Sequence, residues 1–66
     1  MSITITLEML LYGNDYFRFY VAGNYDTTVE LLEILSTDRH PWIRGRVAKN
    51  LNTPNYLKCY LRYKTL

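Results

Sequence analysis

Cysteine and histidine are among the residues this 66-residue chain has least of: Cys59 and His40 are each alone of their kind. A lone cysteine rules out an intrachain disulfide, so the chain is no disulfide-stapled scaffold. It fits the reducing cytoplasm, where we expect the protein. One histidine and one cysteine fall short of a zinc ligand set, and no metal or cofactor is expected. Nucleophilic catalysis needs a nucleophile, a base and a group that orients the base. Two residues 19 apart do not supply that set. The three glycines are scattered and form no phosphate-cradling loop. We therefore expect neither enzyme activity nor a small-molecule substrate.

Long apolar runs are missing as well. No stretch approaches the ~20 residues that cross a bilayer. Thr4, Thr6 and Glu8 interrupt the apolar start, unlike the basic-then-apolar order of a signal peptide. No membrane partner is expected. Acid is absent beyond Asp38: all six acids lie in residues 1–38, where Arg18 is the only base, and seven bases lie in residues 39–66. The two parts carry net −5 and +7, against +2 for the whole. Such asymmetry bears on partners rather than on fold. With 48% hydrophobic and 21% charged residues, the chain reads as one globular domain, 1–66. It is near the lower size limit for a self-sufficient core.

The chain also repeats itself. An offset of 26 lays Arg18, Val21, Ala22, Asn24, Thr27, Leu31 and Leu35 onto Arg44, Val47, Ala48, Asn50, Thr53, Leu57 and Leu61. A fixed period in this range marks stacked helical units. Thr27 followed by Glu30 predicts a capping box ahead of a helix over Thr28–Ser36, with Leu31, Leu32 and Leu35 at helical spacing. Thr53–Pro54 predicts a second start, a capping hydroxyl with proline at the first helical position, for a helix to about Tyr63. Pro41 opens a helix to about Lys49, and its counterpart runs from Asp15 to about Ala22. Gly23–Asn24 and Lys49–Asn50 close these two, both pairs holding residues that tolerate a left-handed terminus. Residues 2–6 alternate with period 2, as a strand would, but register with the helix at Val29–Leu35 and are taken as the start of a first helix.

The segment Trp42–Pro54, preceded by Leu31–Asp38, resembles the leucine-rich repeat variant family, one of the HEAT-like and armadillo-like helical repeats. The shared pattern is a leucine-bearing helix, a short Asp-containing turn, an aromatic–apolar–Arg trio, Val-Ala, Asn and Thr-Pro. Residues 2–26 carry it more weakly, with Thr28 in place of the proline. The resemblance implies an all-α fold: a short right-handed α-α superhelix of about two and a half 26-residue repeats, in about five short helices. It implies no activity, since such repeats serve as scaffolds and binding surfaces. Phe17, Val21, Leu31, Leu35, Ile43, Val47 and Leu57 are expected in the core.

Arg18 and Arg44 are read as braces of the stack, with Asp15 and Asp38 as partners. His40 is expected to cap or be solvated, and Cys59 to be a small buried hydrophobe. Seven tyrosines are too many for so small a core, so some should be exposed, where tyrosine serves protein interfaces and stacks on bases. The partner-binding candidates are Arg46, Lys49, Tyr56, Tyr60, Arg62 and Tyr63. The expected role is a protein–protein interaction or scaffold module; the alternative is nucleic-acid binding through the basic, aromatic-rich residues 39–64. Leu57, Leu61 and Leu66 are expected to be left uncovered at the end of the stack. With the opposite charges of the two parts, they point to a protein partner or to a self-associated dimer.

Overall fold

The computed structural model describes residues 7–64, which form five helices. These are α1 (Leu7–Tyr12), α2 (Asp15–Gly23), α3 (Val29–Leu35), α4 (Pro41–Lys49) and α5 (Asn55–Lys64), with no strand among the described residues. The fold is all-α, as the sequence predicts. Residues 2–6 and Leu66 lie outside the described residues.

Local chemistry sets each start. Asn14 caps α2 by accepting from the Phe17 N–H at 2.9 Å, and Asp15 places a negative charge in the first turn. Pro41 opens α4 from the first turn, where its missing N–H leaves no bond unmade. Arg46 and Lys49 place positive charge in the last turn of the same helix.

The two threonines predicted as caps do something else. Thr28, not Thr27, caps α3, accepting from the Leu31 N–H at 3.4 Å. Thr27 and Thr53 are both buried, and their hydroxyls donate backwards to the carbonyls of Val21 (2.5 Å) and Val47 (2.6 Å). A helix ends with carbonyls that lack a partner within it. Each threonine supplies a donor to one of them, so the Thr27–Glu30 capping box does not form. Pro54 shifts accordingly. Its carbonyl accepts from Leu57 and Lys58, which puts it at the cap of α5 rather than at the first helical position.

The helix ends also differ from expectation. Asn24 (φ −79°, ψ 135°) and Asn50 (φ −70°, ψ 131°) are extended, and no described residue has a positive φ. Each closes its helix by another route. Its N–H bonds the Val21 or Val47 carbonyl, while its side-chain oxygen accepts at 2.9 Å from the amide two residues on, Asp26 or Asn52. The same bonds thus recur 26 residues apart.

Packing follows these turns. α4 lies against α2, α3 and α5, and the Cα trace measures 34 × 20 × 14 Å. With helix axes 8–10 Å apart at about van der Waals contact, the short dimension holds roughly two layers. Val21, Leu31, Leu35, Ile43, Val47 and Leu57 are buried, with Leu10, Ala22, Leu32 and Leu61 completing the core. Phe17, expected among them, is half-buried at the core's edge, its ring against Gly13, where a Cβ would collide with it. Its counterpart Ile43 is fully buried because α4 has neighbours on three sides. Leu57 and Leu61, expected to be left open for a partner, are covered within the chain itself.

Side-chain amides join the two turns. Asn50, buried, donates from Nδ2 to the carbonyls of Ala22 and Asn24, each at 2.9 Å. Asn52 donates to the carbonyls of Tyr25 and Thr27. Asn50→Ala removes both donors and strands the buried Ala22 carbonyl, a loss of about 2–3 kcal/mol. Asn24→Ala, whose Nδ2 meets no described partner, is expected to cost clearly less. Urea denaturation of the two variants checks the difference.

Candidate functional site

The densest polar cluster is built on Arg18, in the middle of α2. Its Nε and Nη2 grip the two carboxylate oxygens of Asp38 at 2.6 and 3.4 Å. Nη2 also reaches Asp15 Oδ1 at 2.8 Å, and Nη1 donates to the Gly13 carbonyl at 3.1 Å. Both partners expected from the sequence are present, and every nitrogen of the fork is used. Hydrogen bonding to Asp38 raises the Arg18 pKa, burial opposes it, and the charge of Asp38 adds to the rise. Burial by itself would push the Asp38 carboxyl up. The bonds from Arg18 and from the His40 backbone, with the Arg18 charge, outweigh it and hold the group below its ordinary value.

His40 sits at the N-cap of α4 but caps nothing with its side chain. The ring lies against Trp42, 4.7 Å between centroids, and Nε2 stands 2.8 Å from Asp15 Oδ2 without hydrogen-bond alignment. The side chain is held in place rather than solvated. Arg44, the counterpart of Arg18, has a thinner set of partners. Its Nη1 donates to the Asp38 carbonyl at 2.5 Å, and it meets no carboxylate among the described residues.

The six residues marked as partner-binding candidates fall on two helices. On α4, Arg46 is exposed at one edge and lies over the Phe19 ring of α2, 4.5 Å from its centroid, while Lys49 is exposed at the helix end. On α5, Tyr56, Tyr60 and Tyr63 follow at intervals of four and three, which places them on one face. Arg62 is exposed on the same helix. Tyr56 donates to Glu33 of α3; that bond, with slight desolvation and the Glu33 and Glu30 charges, raises its phenol pKa. Arg46 and Tyr56 therefore answer to different neighbours, α2 and α3. Tyr60 borders an open hollow of about 280 Å³ with Ser36, Thr37, Asp38 and Arg44.

All seven tyrosines are exposed, from Tyr60 at 39% to Tyr12 at 88%. Leu51, in the turn after α4, is 92% exposed, and Leu11 and Trp42 are open as well. Neither leucine was a candidate in the sequence. Only their position outside the i, i+3, i+4 pattern of the buried set could have signalled them. Cys59, expected inside, is exposed instead. It follows Lys58 on the side of α5 away from Leu57 and Leu61, and the short helix has room for just those two in the core.

No cluster of three or more His, Cys, Asp or Glu that could hold a metal ion occurs among the described residues. No described helix is long and apolar enough to cross a membrane. Comparison with protein families, curated proteins and solved structures finds no match to the chain.

The Arg18–Asp38 pair sets a pH dependence. Because the folded-state pKa of Asp38 is lowered, its contribution is present in full above the ordinary carboxylate range, near pH ~4. It is lost as pH falls below that range through the folded value. Asp38→Asn should cost about 2–3 kcal/mol at neutral pH. It should also flatten the loss of stability on acidification, which thermal melts from pH 7 to pH 2 measure.

Proposed function

We propose that this protein is an interaction module of the helical-repeat kind, similar to the leucine-rich repeat variants, which binds another protein and carries out no chemistry. The observation that carries this reading is that every tyrosine is on the surface while aliphatic residues fill the core. A tyrosine ring left in water offers apolar area and a hydroxyl at low entropic cost, the property that enriches it at interfaces. The recurrence of the same turn bonds 26 residues apart supports the repeat assignment. The contact surface on this reading is the face of α5 with Tyr56, Tyr60 and Tyr63, flanked by Arg62 and, on α4, by Arg46 and Lys49.

The nucleic-acid reading draws less support from the same geometry. Among the bases of residues 39–64, Arg44 is turned onto a backbone carbonyl, Arg46 onto an aromatic ring, and Arg39 stands 4.0 Å from Asp15. A phosphate-binding stripe needs such charges available together.

Tyr56→Ser with Tyr63→Ser should leave folding intact and weaken partner binding by about 10–100-fold, the effect of removing interface anchors. Affinity capture from the native host with the intact and doubly substituted chains, followed by titration of the captured protein, measures this. Equal binding by both would overturn the assignment of the α5 face. A gel-shift series across salt is expected to give no nucleic-acid complex tighter than ~1 µM at physiological ionic strength. A tight, sequence-selective shift would favour the alternative.

A further inference from the structure

The first helix pair, α2 and α3, is covered on one side by the second pair, α4 and α5. Equivalent residues of the two pairs therefore show what the open side of the second pair lacks. Ala22 is fully buried, whereas its counterpart Ala48 is partly buried at the core's edge. Arg18 takes the carboxylate of Asp38 from the next pair's turn; among the described residues Arg44 takes a backbone carbonyl and no carboxylate. The carbonyls of Ala22 and Asn24 receive the side-chain amide of Asn50. Those of Ala48 and Asn50 receive no side-chain donor among the described residues. Phe19 packs against Trp42 and Arg46, while Gly45, in its place on α4, has open space where a side chain would be. Twenty-six residues after Asp38 the chain has Lys64, which can give Arg44 no carboxylate.

We propose that the open side of α4, with the turn that follows it, is a docking surface for a helix pair of another protein. The turn opening that pair lays a carboxylate on Arg44, and a side-chain amide from its following turn reaches the carbonyls of Ala48 and Asn50. The surface continues an interface the molecule already contains, in the register by which α4 sits on α2. Lys49, exposed at the end of the same helix, favours an acidic partner. A second copy of this chain supplies only half of this chemistry: its residue equivalent to Asn50 is the amide Asn24, but the one equivalent to Asp38 is Tyr12, which brings no acid to Arg44. The inference rests on the protein-binding reading and adds to it the place and the chemistry.

The test lengthens the full chain by inserting a second copy of residues 29–54 after Pro54, as a tethered stand-in for the partner's helix pair. One cooperative transition is expected, with a midpoint at least about 5 °C above that of the native chain. Arg44→Ala should lower that midpoint about as much as Arg18→Ala does, and clearly more than it lowers the native chain's. Changing the inserted aspartate to asparagine should abolish the extra loss. A separate second transition, a lengthened chain that does not fold, or equal Arg44→Ala losses in both chains overturns the proposal. Sedimentation of the native chain at about 100 µM is expected to show a monomer, since an interface without buried anchors binds weakly. A dimer abolished by Arg44→Ala would instead make the occupant a second copy and refute the claim of an acidic foreign partner. The α5 tyrosine variants report on the wider binding reading independently, so one can fail while the other stands.

Discussion

The fork of Arg18 ties the start of α2 to the turn before α4. One guanidinium binds the Gly13 carbonyl in the α1–α2 connection, the carboxylate at the start of its own helix, and the carboxylate of the turn before α4. Asp38 returns the arrangement from the other side. Its carboxylate takes the arginine and the His40 N–H, and its carbonyl takes Arg44. A planar, always-charged fork is suited to this, because its donors have fixed directions and removing either partner leaves a largely buried charge. In a chain this short, with ten described residues in the core cluster, one such knot fixes where the turn before α4 lies against α2.

The opposite end of the same helices is held by neutral groups. Asn50 and Asn52 reach across to carbonyls of the earlier turn, and Thr27 and Thr53 each close the helix before them. The molecule therefore has a charged clasp at the entry of α4 and an amide clasp at its exit, with Ile43 and Val47 buried between them. Both clasps use side chain to backbone bonds, which tie particular turns to each other where hydrophobic contact alone would allow sliding. The surface carries lighter ties, such as Tyr56 on Glu33 and Arg46 over Phe19, and all seven tyrosine rings are exposed there.

Much of this was legible in the chain. The 26-residue identity and the residues around it located α2 to α5 to within a residue or two, because the identical positions are the ones helices use for burial and termination. Asp15 and Asp38 were readable as partners of the two arginines, since they lie close to them in sequence, and both fall to Arg18. The exposure of the tyrosines followed in part from counting, as so small a core cannot hold them all.

The sequence by itself determined helix number, helix spacing and most of the core, because periodicity and residue type act locally and along the chain. It could not determine which way a shared side chain would turn. A threonine beside a helix start can cap the helix ahead or close the helix behind, and Thr27 and Thr53 take the second course, adding a second donor to the carbonyls of Val21 and Val47. Arg18 and Arg44 are the same residue 26 positions apart, and so are Ala22 and Ala48. Only the packing of α4 onto α2, with nothing equivalent among the described residues on the far side of α4, gives Arg18 a carboxylate and buries Ala22 fully.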